Sequence, residues 1–313
     1  MSPIGPTIYV PTLDGRDRLA ALLPSLREQT REARVVVVDN GSSDGTDELL
    51  AGFPEVTTVG LAENLGFGPA LNRGIAAEGG DPIVLLNNDV VCEPRFLEAL
   101  LEVAAGAEMV AGVLLAERAP ELIDSAGVIA DRTLMGFDYL NGARREAAEG
   151  AAPPLGPTGG AALYARAAFE RVGGFDERIF LYYEDLDLAL RLRRRGARCQ
   201  LAPEARALHA YSQTLGAGSA AKYAKTGWSR GYMLRRYGVM RRPAGALRVL
   251  TAEGAICAGQ LIRDRTAAGL RGRLRGWRDA GGLPARELPP RDALSDVSLA
   301  GALAMRRARR EPT

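Results

Sequence analysis

The chain has 313 residues, of which 47% are hydrophobic and 25% are charged, a composition ordinary for a globular protein that buries a substantial core. Its three cysteines lie far apart and form no CxxC pair, which argues against a disulfide framework or a zinc site and favours a reducing compartment. No apolar run approaches the roughly 18 residues of a membrane span, and the first residues lack a signal-peptide pattern. We therefore expect a cytoplasmic protein, or one attached peripherally to the inner face of the cytoplasmic membrane.

Charge is distributed unevenly along the chain. Residues 222–313 contain 20 Lys and Arg against 7 Asp and Glu, a net +13, whereas residues 1–221 contain 20 against 31, a net −11. Because the two parts must do different things, we predict one domain at 1–215 and a basic, mainly helical extension at 216–313. The tail after residue 281 has too few large apolar residues to demand a core, and it is predicted to be disordered.

Strands and helices alternate in the first 115 residues. Strands are predicted at 7–11, 34–38, 56–59, 83–89 and 108–115, and helices at 16–29, from 47, at 70–76 and from 94. This alternation is typical of βαβ units and predicts an α/β fold with a mostly parallel sheet flanked by helices. Segment 117–157 is poorly patterned and rich in Ala, Gly and Pro, and we interpret it as a long irregular insertion that forms a lid over the site.

Regular patterning returns after residue 158. A strand follows Gly159-Gly160, and apolar residues at helical spacing predict a helix that has Glu184 and Asp185 in its first turn. The helix dipole stabilises the ionised form of carboxylates at this position. Two short strands are predicted at 199–202 and 205–209, and helices from residue 220 onward.

Polar residues follow the predicted strands where each strand ends. The apolar run 83–86 passes into Asn87-Asn88-Asp89, and the valine strand 34–38 passes into Asp39-Asn40. The carboxyl ends of the strands in an open α/β sheet form the edge where ligands bind. Asp89 is therefore a candidate for holding a metal ion or a phosphate-bearing ligand.

The sequence gives little support to two other functions, a P-loop nucleotide site and a serine hydrolase. The only lysines, Lys222 and Lys225, do not follow a glycine-rich turn, which excludes a P-loop. The alternative function is a serine hydrolase of α/β type, because Ser43 lies in a G-x-S-x-G pattern and Asp185 and His209 follow in triad order. That pattern arises easily by chance in a chain with 37 glycines, and it leaves most of the polar strand ends without a role.

A nucleotide-sugar transferase gives these strand ends a role. Such an enzyme needs a carboxylate that accepts the pyrimidine N3–H, a cation that neutralises the diphosphate leaving group, and a base that deprotonates the acceptor hydroxyl. Asp39, Asp89 and Asp185 can take these three roles.

Six motifs in order make the sequence resemble family-2 glycosyltransferases with a GT-A fold, of the branch that includes bacterial rhamnosyltransferases. The resemblance covers about residues 7 to 212. The matching segments are Val38-Asp39-Asn40-Gly41-Ser42-Ser43-Asp44-Gly45-Thr46, Asn64-x-Gly66-Phe67 with Asn72-x-Gly74, Leu85-Leu86-Asn87-Asn88-Asp89, Gly159-Gly160, Gly173-Gly174-Phe175-Asp176-Glu177 and Tyr183-Glu184-Asp185-x-Asp187-Leu188-x-x-Arg191.

The resemblance implies roles for individual residues. Asp185 would be the general base of an inverting transfer, with Glu184 as the next candidate, and Asp89 would hold Mg²⁺ or Mn²⁺. His209, the only histidine, would be a further metal or diphosphate contact, or else a structural hydrogen-bonding residue. Where many relatives have Asp-x-Asp this chain has Asn87, so the affinity for the cation is expected to be modest. The residues expected to bind the donor are Pro11, Thr12, Asp39, Asn40, Asn64, Gly66, Asn72, Asn87, Asn88, Gly159 and Gly160.

The substrates and partners follow from the same resemblance. The first candidate for the donor is dTDP-rhamnose and the second is a UDP-hexose, and the acceptor would be a glycan or a lipid-linked saccharide. For the basic extension two interpretations stay open: helices that pack on the catalytic domain, or an amphipathic surface, with Leu247, Leu250 and Leu261 on one face, that lies on anionic lipid. Nucleic acid is not expected, because the basic segment has few interleaved aromatic residues.

Overall fold

The computed structural model describes residues 5–210, 219–241 and 243–297. Within these residues the strands are β1 (Thr7–Thr12), β2 (Arg34–Asp39), β3 (Thr57–Gly60), β4 (Ile83–Leu86), β5 (Val90–Cys92), β6 (Met109–Ala116), β7 (Ala119–Ser125), β8 (Val128–Ala130), β9 (Gly136–Asp138), β10 (Ala161–Tyr164) and β11 (Cys199–His209). The helices are α1 (Arg16–Arg27), α2 (Thr46–Ala51), α3 (Phe67–Glu78), α4 (Phe96–Val103), α5 (Arg166–Arg171), α6 (Glu184–Arg194), α7 (Ala220–Arg236), α8 (Pro243–Arg263) and α9 (Ala268–Asp279).

One large sheet organises the N-terminal two thirds of the chain. Its strand order is β3-β2-β1-β4-β10-β6-β11-β5, with β7 paired to β6. The pairings make β1, β2, β3, β4, β6 and β11 run in one direction, while β5, β7 and β10 run in the other. The predicted α/β class and mostly parallel sheet are therefore confirmed, and six strands end at the same edge.

Helices cover both faces of this sheet, because successive strand residues point to opposite sides. On β1, Tyr9 belongs to the core under α3, α5 and α6, whereas Ile8 and Val10 belong to the core under α1 and α4. The valines of β2 divide in the same way. Both faces are apolar, which explains why these strands read as continuous apolar runs.

Three sequence expectations are wrong in detail. Segment 117–157 is not irregular, since it contains β7, β8 and β9. The two strands predicted at 199–202 and 205–209 are one strand, β11, with a register shift between Leu201 and Arg206. The residues after 281 are ordered up to 297, because Leu294 is buried and Leu283 and Leu288 pack beside it. Residues 298–313 of the predicted tail, and the predicted boundary at 215/216, lie outside the described residues.

The C-terminal helices share a core with the catalytic part. Tyr232 and Met233 of α7, and Tyr237 directly after it, pack against Leu186 and Leu190 of α6. Packing on the catalytic part is thus confirmed for α7. In contrast, α8 and α9 expose large apolar side chains to solvent. They are Leu247, Leu250, Leu261, Ile262, Leu270 and Leu274, with exposed fractions of 46–80%. None of the described helices is long and apolar enough to cross a membrane.

Glycines allow α7 and α9 to pack backbone against backbone. A methyl group on Gly276 would overlap the backbone oxygen of Trp228, and one on Gly231 would overlap that of Arg273. The same holds at Gly227 and Gly272. These four glycines of α7 and α9 are therefore contact positions, at which any side chain would force the helices apart.

We expect Gly276→Ala to destabilise the protein by about 1–3 kcal/mol, the usual cost of overpacking. Gly254→Ala on α8 is the matched control, since no atom lies within 4 Å of the added methyl group. Gly254→Ala should instead stabilise by up to about 1 kcal/mol through helix propensity. Urea unfolding of the two variants measures both effects. A Gly276→Ala midpoint at or above that of the wild type would contradict the close packing of α7 and α9.

Candidate active site at the carboxyl edge of the sheet

Asp89 and His209 lie side by side although 120 residues separate them. Asp89 is the last residue of the turn between β4 and β5, and β5 pairs antiparallel with the end of β11, so that Val90 lies opposite His209. The backbone oxygen of Asp89 accepts a hydrogen bond of 2.9 Å from the Ala210 amide. As a result, Asp89 Oδ1 lies 3.4 Å from His209 Nε2. The two residues predicted to hold a metal ion therefore meet at the edge of the sheet.

The other ring nitrogen of His209 contacts a residue that sequence reasoning missed. Asp124 Oδ2 lies 2.6 Å from His209 Nδ1. Burial opposes a charged ring, but the two carboxylates outweigh burial and raise the pKa of His209 to about 10. Asp124 lies near the end of β7, inside the segment predicted to be irregular. The signal was available, because Leu122-Ile123-Asp124 is another apolar run that ends in a carboxylate.

These residues fit a divalent cation. Asp89 Oδ1 is buried and accepts no hydrogen bond from the described part of the chain. A carboxylate oxygen and an imidazole nitrogen 3.4 Å apart can share an ion that binds each at about 2.0–2.2 Å. Asp124 would orient the imidazole through its other nitrogen, as carboxylates commonly do for metal-bound histidines. The ion would have to displace the proton on Nε2.

The protein alone offers few ligands at this edge. Across residues 5–210, 219–241 and 243–297 there is no group of three or more His, Cys, Asp and Glu arranged to hold a metal. Mg²⁺ commonly binds through one or two protein carboxylates and completes its shell with water and substrate phosphate. The Asp89–His209 pair suits an ion that binds together with a diphosphate.

The residues predicted to contact the nucleoside lie at the ends of β1 and β2. Thr12 and Asp39 are paired across the two strands, and Asn88 Nδ2 donates a hydrogen bond of 2.9 Å to Thr12 Oγ1. Asp39 Oδ1 accepts from the amide of Ser42 at 3.0 Å. Pro11 lies one residue before Thr12. These residues lie together at the edge, next to the turn that contains Asp89.

Three predicted donor residues have polar groups that are engaged inside the protein. The buried Asn40 donates to Asn64 Oδ1 at 3.0 Å and to the backbone oxygen of Gly66 at 3.1 Å. The Asn72 side chain accepts from the backbone amide of Phe175 at 3.0 Å and donates to the backbone oxygen of Phe175 at 2.9 Å. This geometry indicates that Asn40, Asn64 and Asn72 hold the surrounding loops in shape. Their direct contact with a donor stays a prediction.

Asp185 lies at the same edge, at the start of α6. Its Oδ2 accepts a hydrogen bond of 3.4 Å from the Gly159 amide, and its Oδ1 accepts one of 2.7 Å from Leu186. Gly160 follows, and its backbone oxygen accepts from the amide of Asn87 at 3.4 Å. Gly159-Gly160 therefore connects the turn after β4 with the first turn of α6.

The carboxylates of α6 have a raised proton affinity. Burial raises the pKa of Asp185, and the charge of Asp138 adds to the increase. Burial also raises the pKa of Glu184, and the neighbouring Asp185 raises it further. Glu184 is only 7% exposed and its Oε2 has no hydrogen-bond partner among the described residues. Asp185 is half-buried, so it is the carboxylate that a substrate can reach.

The backbone before α6 is strained. Tyr182 and Tyr183 have φ values of 67° and 72°, in the left-handed region that non-glycine residues avoid. Such conformations cost about 1–3 kcal/mol each and are kept where the surroundings fix them, often at active sites. Two consecutive strained residues turn the chain sharply, so that α6 begins with Glu184 and Asp185 at the edge of the sheet.

Two motif carboxylates are joined by an arginine from the C-terminal segment. Arg286 bridges Asp176 Oδ2, at 2.8 Å, and Asp187 Oδ1. Asp187 is fully buried and also accepts from Tyr237 at 2.9 Å and pairs with Arg191 at 2.7 Å. Asp187 therefore fixes the position of α6 against the C-terminal segment.

The sequence and the fold match known proteins. The model of "Glycosyl transferase family 2" matches residues 7–173. The chain belongs to this family. An N-acetylglucosaminyl-diphospho-decaprenol L-rhamnosyltransferase of Mycobacterium tuberculosis is 32% identical over 246 residues, which are 69% of this chain and 79% of that protein. The O-antigen biosynthesis protein RfbC of Myxococcus xanthus is 32% identical over 65% of this chain and 17% of that one.

The solved structures that this glycosyltransferase resembles are GT-A glycosyltransferases. A mannosyltransferase of Pyrobaculum calidifontis in complex with GDP-Man and Mn²⁺ has a TM-score of 0.53 and 19% identity, over 98% of this chain and 81% of that one. GalNAc-T7 with UDP, GalNAc and Mn²⁺ has a TM-score of 0.62 and 12% identity, over 91% of this chain and 55% of that one. The predicted GT-A fold is confirmed.

The serine hydrolase alternative is wrong for this glycosyltransferase. The hydroxyl and the backbone amide of Ser43 both donate to Asp14 Oδ1, at 3.3 and 2.8 Å. His209 contacts Asp89 and Asp124 instead. Ser43 follows β2 and His209 ends β11, five strand positions away in the sheet. At about 4.8 Å per strand this separation is far beyond a hydrogen bond.

Proposed function

We propose that this glycosyltransferase transfers a sugar with inversion from a nucleoside-diphosphate donor to a hydroxyl of a lipid-linked saccharide, assisted by Mg²⁺ or Mn²⁺. The observation that carries the proposal is the meeting of Asp39, Asp89 and Asp185 at one edge of the sheet, from three sequence-distant strand and helix ends. Residues 1–215 would form the catalytic domain, and residues 216–313 an extension that serves the acceptor.

The donor and acceptor are inferred from chemistry and from the relatives. Asp39 Oδ2 has no hydrogen-bond partner among the described residues, so it is free to accept the N3–H of uracil or thymine beside Pro11 and Thr12. The mycobacterial relative is named as an L-rhamnosyltransferase that acts on a diphospho-decaprenol-linked N-acetylglucosamine. We therefore propose dTDP-rhamnose as the first donor, a UDP-hexose as the second, and a polyprenyl-diphosphate-linked sugar as the acceptor.

Asp89 and His209 would hold the divalent cation. Bound there, Mg²⁺ or Mn²⁺ would neutralise the charge that develops on the leaving diphosphate. The buried and otherwise unbonded Asp89 Oδ1 supports this role, and Asp124 would hold the imidazole in the required orientation. No lysine precedes residue 222, so no lysine of the N-terminal part could take this role in place of the ion.

Asp185 would be the general base. Its Oδ2 accepts from the Gly159 amide and no ion pair with another described residue neutralises its charge, so it is able to take the proton of the acceptor hydroxyl as that oxygen attacks the anomeric carbon. Burial brings its pKa closer to neutral pH, which improves a general base. Glu184 is too buried to be the first candidate.

We expect Asp185→Asn to lower transfer by about 10²–10⁴-fold, the usual contribution of a positioned base, with donor affinity and thermal midpoint unchanged. The pKa of Asp185 lies above the ordinary value of 3.8. As the pH is lowered, the wild-type rate should therefore begin to fall at a higher pH than it would for an ordinary aspartate, because the carboxylate becomes protonated there. The residual rate of Asp185→Asn should lack this acid limb. The product should have the inverted anomeric configuration. Normal turnover in Asp185→Asn, or a retained configuration, would remove Asp185 from this role.

Activity should require Mg²⁺ or Mn²⁺ and should be abolished in Asp89→Asn, because an amide oxygen binds a hard cation more weakly than a carboxylate. Nucleoside-diphosphate release is measured with each ion and with excess chelator. Asp124→Asn should have a smaller effect than Asp89→Asn, since loss of a residue that orients a metal ligand typically costs about 10–100-fold in metal affinity or activity. Full turnover in excess chelator would refute the role of the metal.

The exposed leucines of α8 and α9 would bring the enzyme to an anionic membrane that contains the acceptor. Six large apolar side chains are exposed on these two helices, and the segment from residue 222 carries a net charge of +13. Apolar burial together with basic residues, each contributing about 1 kcal/mol near anionic lipid, is the usual basis of peripheral binding.

We expect the protein to sediment with anionic vesicles, less with neutral ones, and less at high salt. The double variant Leu250→Gln/Leu261→Gln should lose this binding without a change in thermal midpoint, since both side chains are already exposed. Ala255→Gln, at an exposed position of the same helix, is the control and should bind normally. Equal binding to both kinds of vesicle, or none at low salt, would contradict the membrane surface.

A further inference from the structure

A cavity of about 360 Å³ lies between α7, α9 and the loop that leads into α6. Three of its lining residues are basic: Arg178 from the loop, Lys225 from α7 and Arg275 from α9. Phe180 and Trp228 form its aromatic walls. None of its lining residues is acidic, so the cavity is positively charged.

The charges of this cavity are poorly neutralised by the protein. Within the described residues, no carboxylate forms an ion pair with Arg178 or Lys225, and Arg275 has only a solvent-exposed contact of 3.6 Å with Asp279. Lys225 Nζ lies 3.6 Å from the centroid of the Phe180 ring, and partial burial lowers the pKa of this ammonium group. Three basic groups that share only this one weak carboxylate contact favour an anionic ligand, because phosphate oxygens pair well with both arginine and lysine.

The cavity lies between the proposed base and the proposed membrane surface. Leu181, which lines it, is four residues before Asp185, and four residues span at most about 14 Å. Phe180 accepts from the amide of Phe67 at 2.9 Å, which fixes this loop against the start of α3. On the other side, Arg275 follows Leu274, which is 64% exposed. A ligand in the cavity would thus have one end near Asp185 and the other near apolar side chains that face solvent.

We propose that this cavity binds the diphosphate of the lipid-linked acceptor. The sugar of the acceptor would extend towards Asp185, and its hydrocarbon chain would extend along Leu274 and Leu270 towards the membrane. This inference rests on the proposed function, and it assigns the acceptor diphosphate to a place separate from the donor diphosphate at Asp89 and His209.

The test compares two acceptors that carry the same sugar. One is N-acetylglucosamine linked through a diphosphate to a short, water-soluble prenyl chain, and the other is an alkyl N-acetylglucosaminide without phosphate. In Lys225→Met and Arg178→Gln we expect the KM for the diphosphate acceptor to rise about 10- to 100-fold, the effect of losing one charge-assisted contact. The KM for the donor and the KM for the alkyl glycoside should not change. Arg271→Gln, at an exposed position of α9 outside the cavity, is the matched control.

Several outcomes would overturn the proposal. Equal KM increases for both acceptors would mean that the cavity does not recognise the diphosphate, and a raised KM for the donor would assign the cavity to the donor. Inorganic pyrophosphate, added as a competitor with saturating donor, distinguishes a site for the lipid-linked diphosphate from a site for free diphosphate. Weak competition that weakens further in Lys225→Met supports the lipid acceptor, whereas pyrophosphate binding as tight as that of the prenyl acceptor would assign the cavity to free diphosphate.

Failure of the proposed function gives a different result. If neither acceptor is glycosylated while the donor still binds, the acceptor class is wrong. Calorimetry with pyrophosphate and saturating nucleoside diphosphate then tests the cavity directly. Binding that is present in the wild type and in Arg271→Gln but lost in Lys225→Met supports a diphosphate site, and equal binding or no binding in all three overturns it.

Discussion

The ion-pair network of Asp187 joins the two halves of this protein. Asp187 is fully buried on α6, and Arg191, Arg286 and Tyr237 all contact it. Removing one partner of such a buried network typically costs about 3–5 kcal/mol, because a charge is left without compensation. Since Arg286 and Tyr237 come from the C-terminal extension, the position of the helix that begins with Asp185 depends on that extension. The catalytic part and the extension therefore form one functional unit.

The edge of the sheet concentrates strain and charge where the chemistry is expected. Tyr182 and Tyr183 keep left-handed backbone conformations, and Glu184 and Asp185 are brought out of water beside one another. Each feature reduces stability, and each is held by packing from α7 and by the Asp187 network. A rigid surrounding structure is what allows a base to be kept at a raised pKa in a defined position.

The extension would also explain how one chain could use an aqueous donor and the proposed lipid-linked acceptor. Close packing of α7 on α9 at Gly276 and Gly231 holds the basic cavity next to the loop before α6. The outer surfaces of α8 and α9 keep large apolar side chains in solvent. The residues proposed to bind the donor lie at the edge of the sheet and the cavity proposed for the acceptor lies on the extension side of α6, so the two substrates would approach Asp185 from different directions.

The sequence determined the α/β class, and it indicated the polar strand ends at one edge of the sheet, with Asp39, Asp89 and Asp185 as candidate carboxylates of the site. These features were legible because they depend on local periodicity and on motifs in which neighbouring residues act together. It did not reveal strands β7 to β9, because β7 is only partly buried and β8 and β9 have three residues each. It also did not reveal the ordered segment up to residue 297, whose few apolar residues are buried by distant helices.

Only the tertiary structure decided which distant groups meet. Asp124 reaches His209 because β7 pairs with β6, and Arg286 reaches Asp187 because the chain after α9 returns to α6. No local pattern encodes such contacts, since they arise from strand pairing and helix packing across up to about a hundred residues. The glycines of α7 and α9 were visible as interruptions of a helical pattern, but their role as contact positions required the facing helix, whose backbone leaves no room for a side chain.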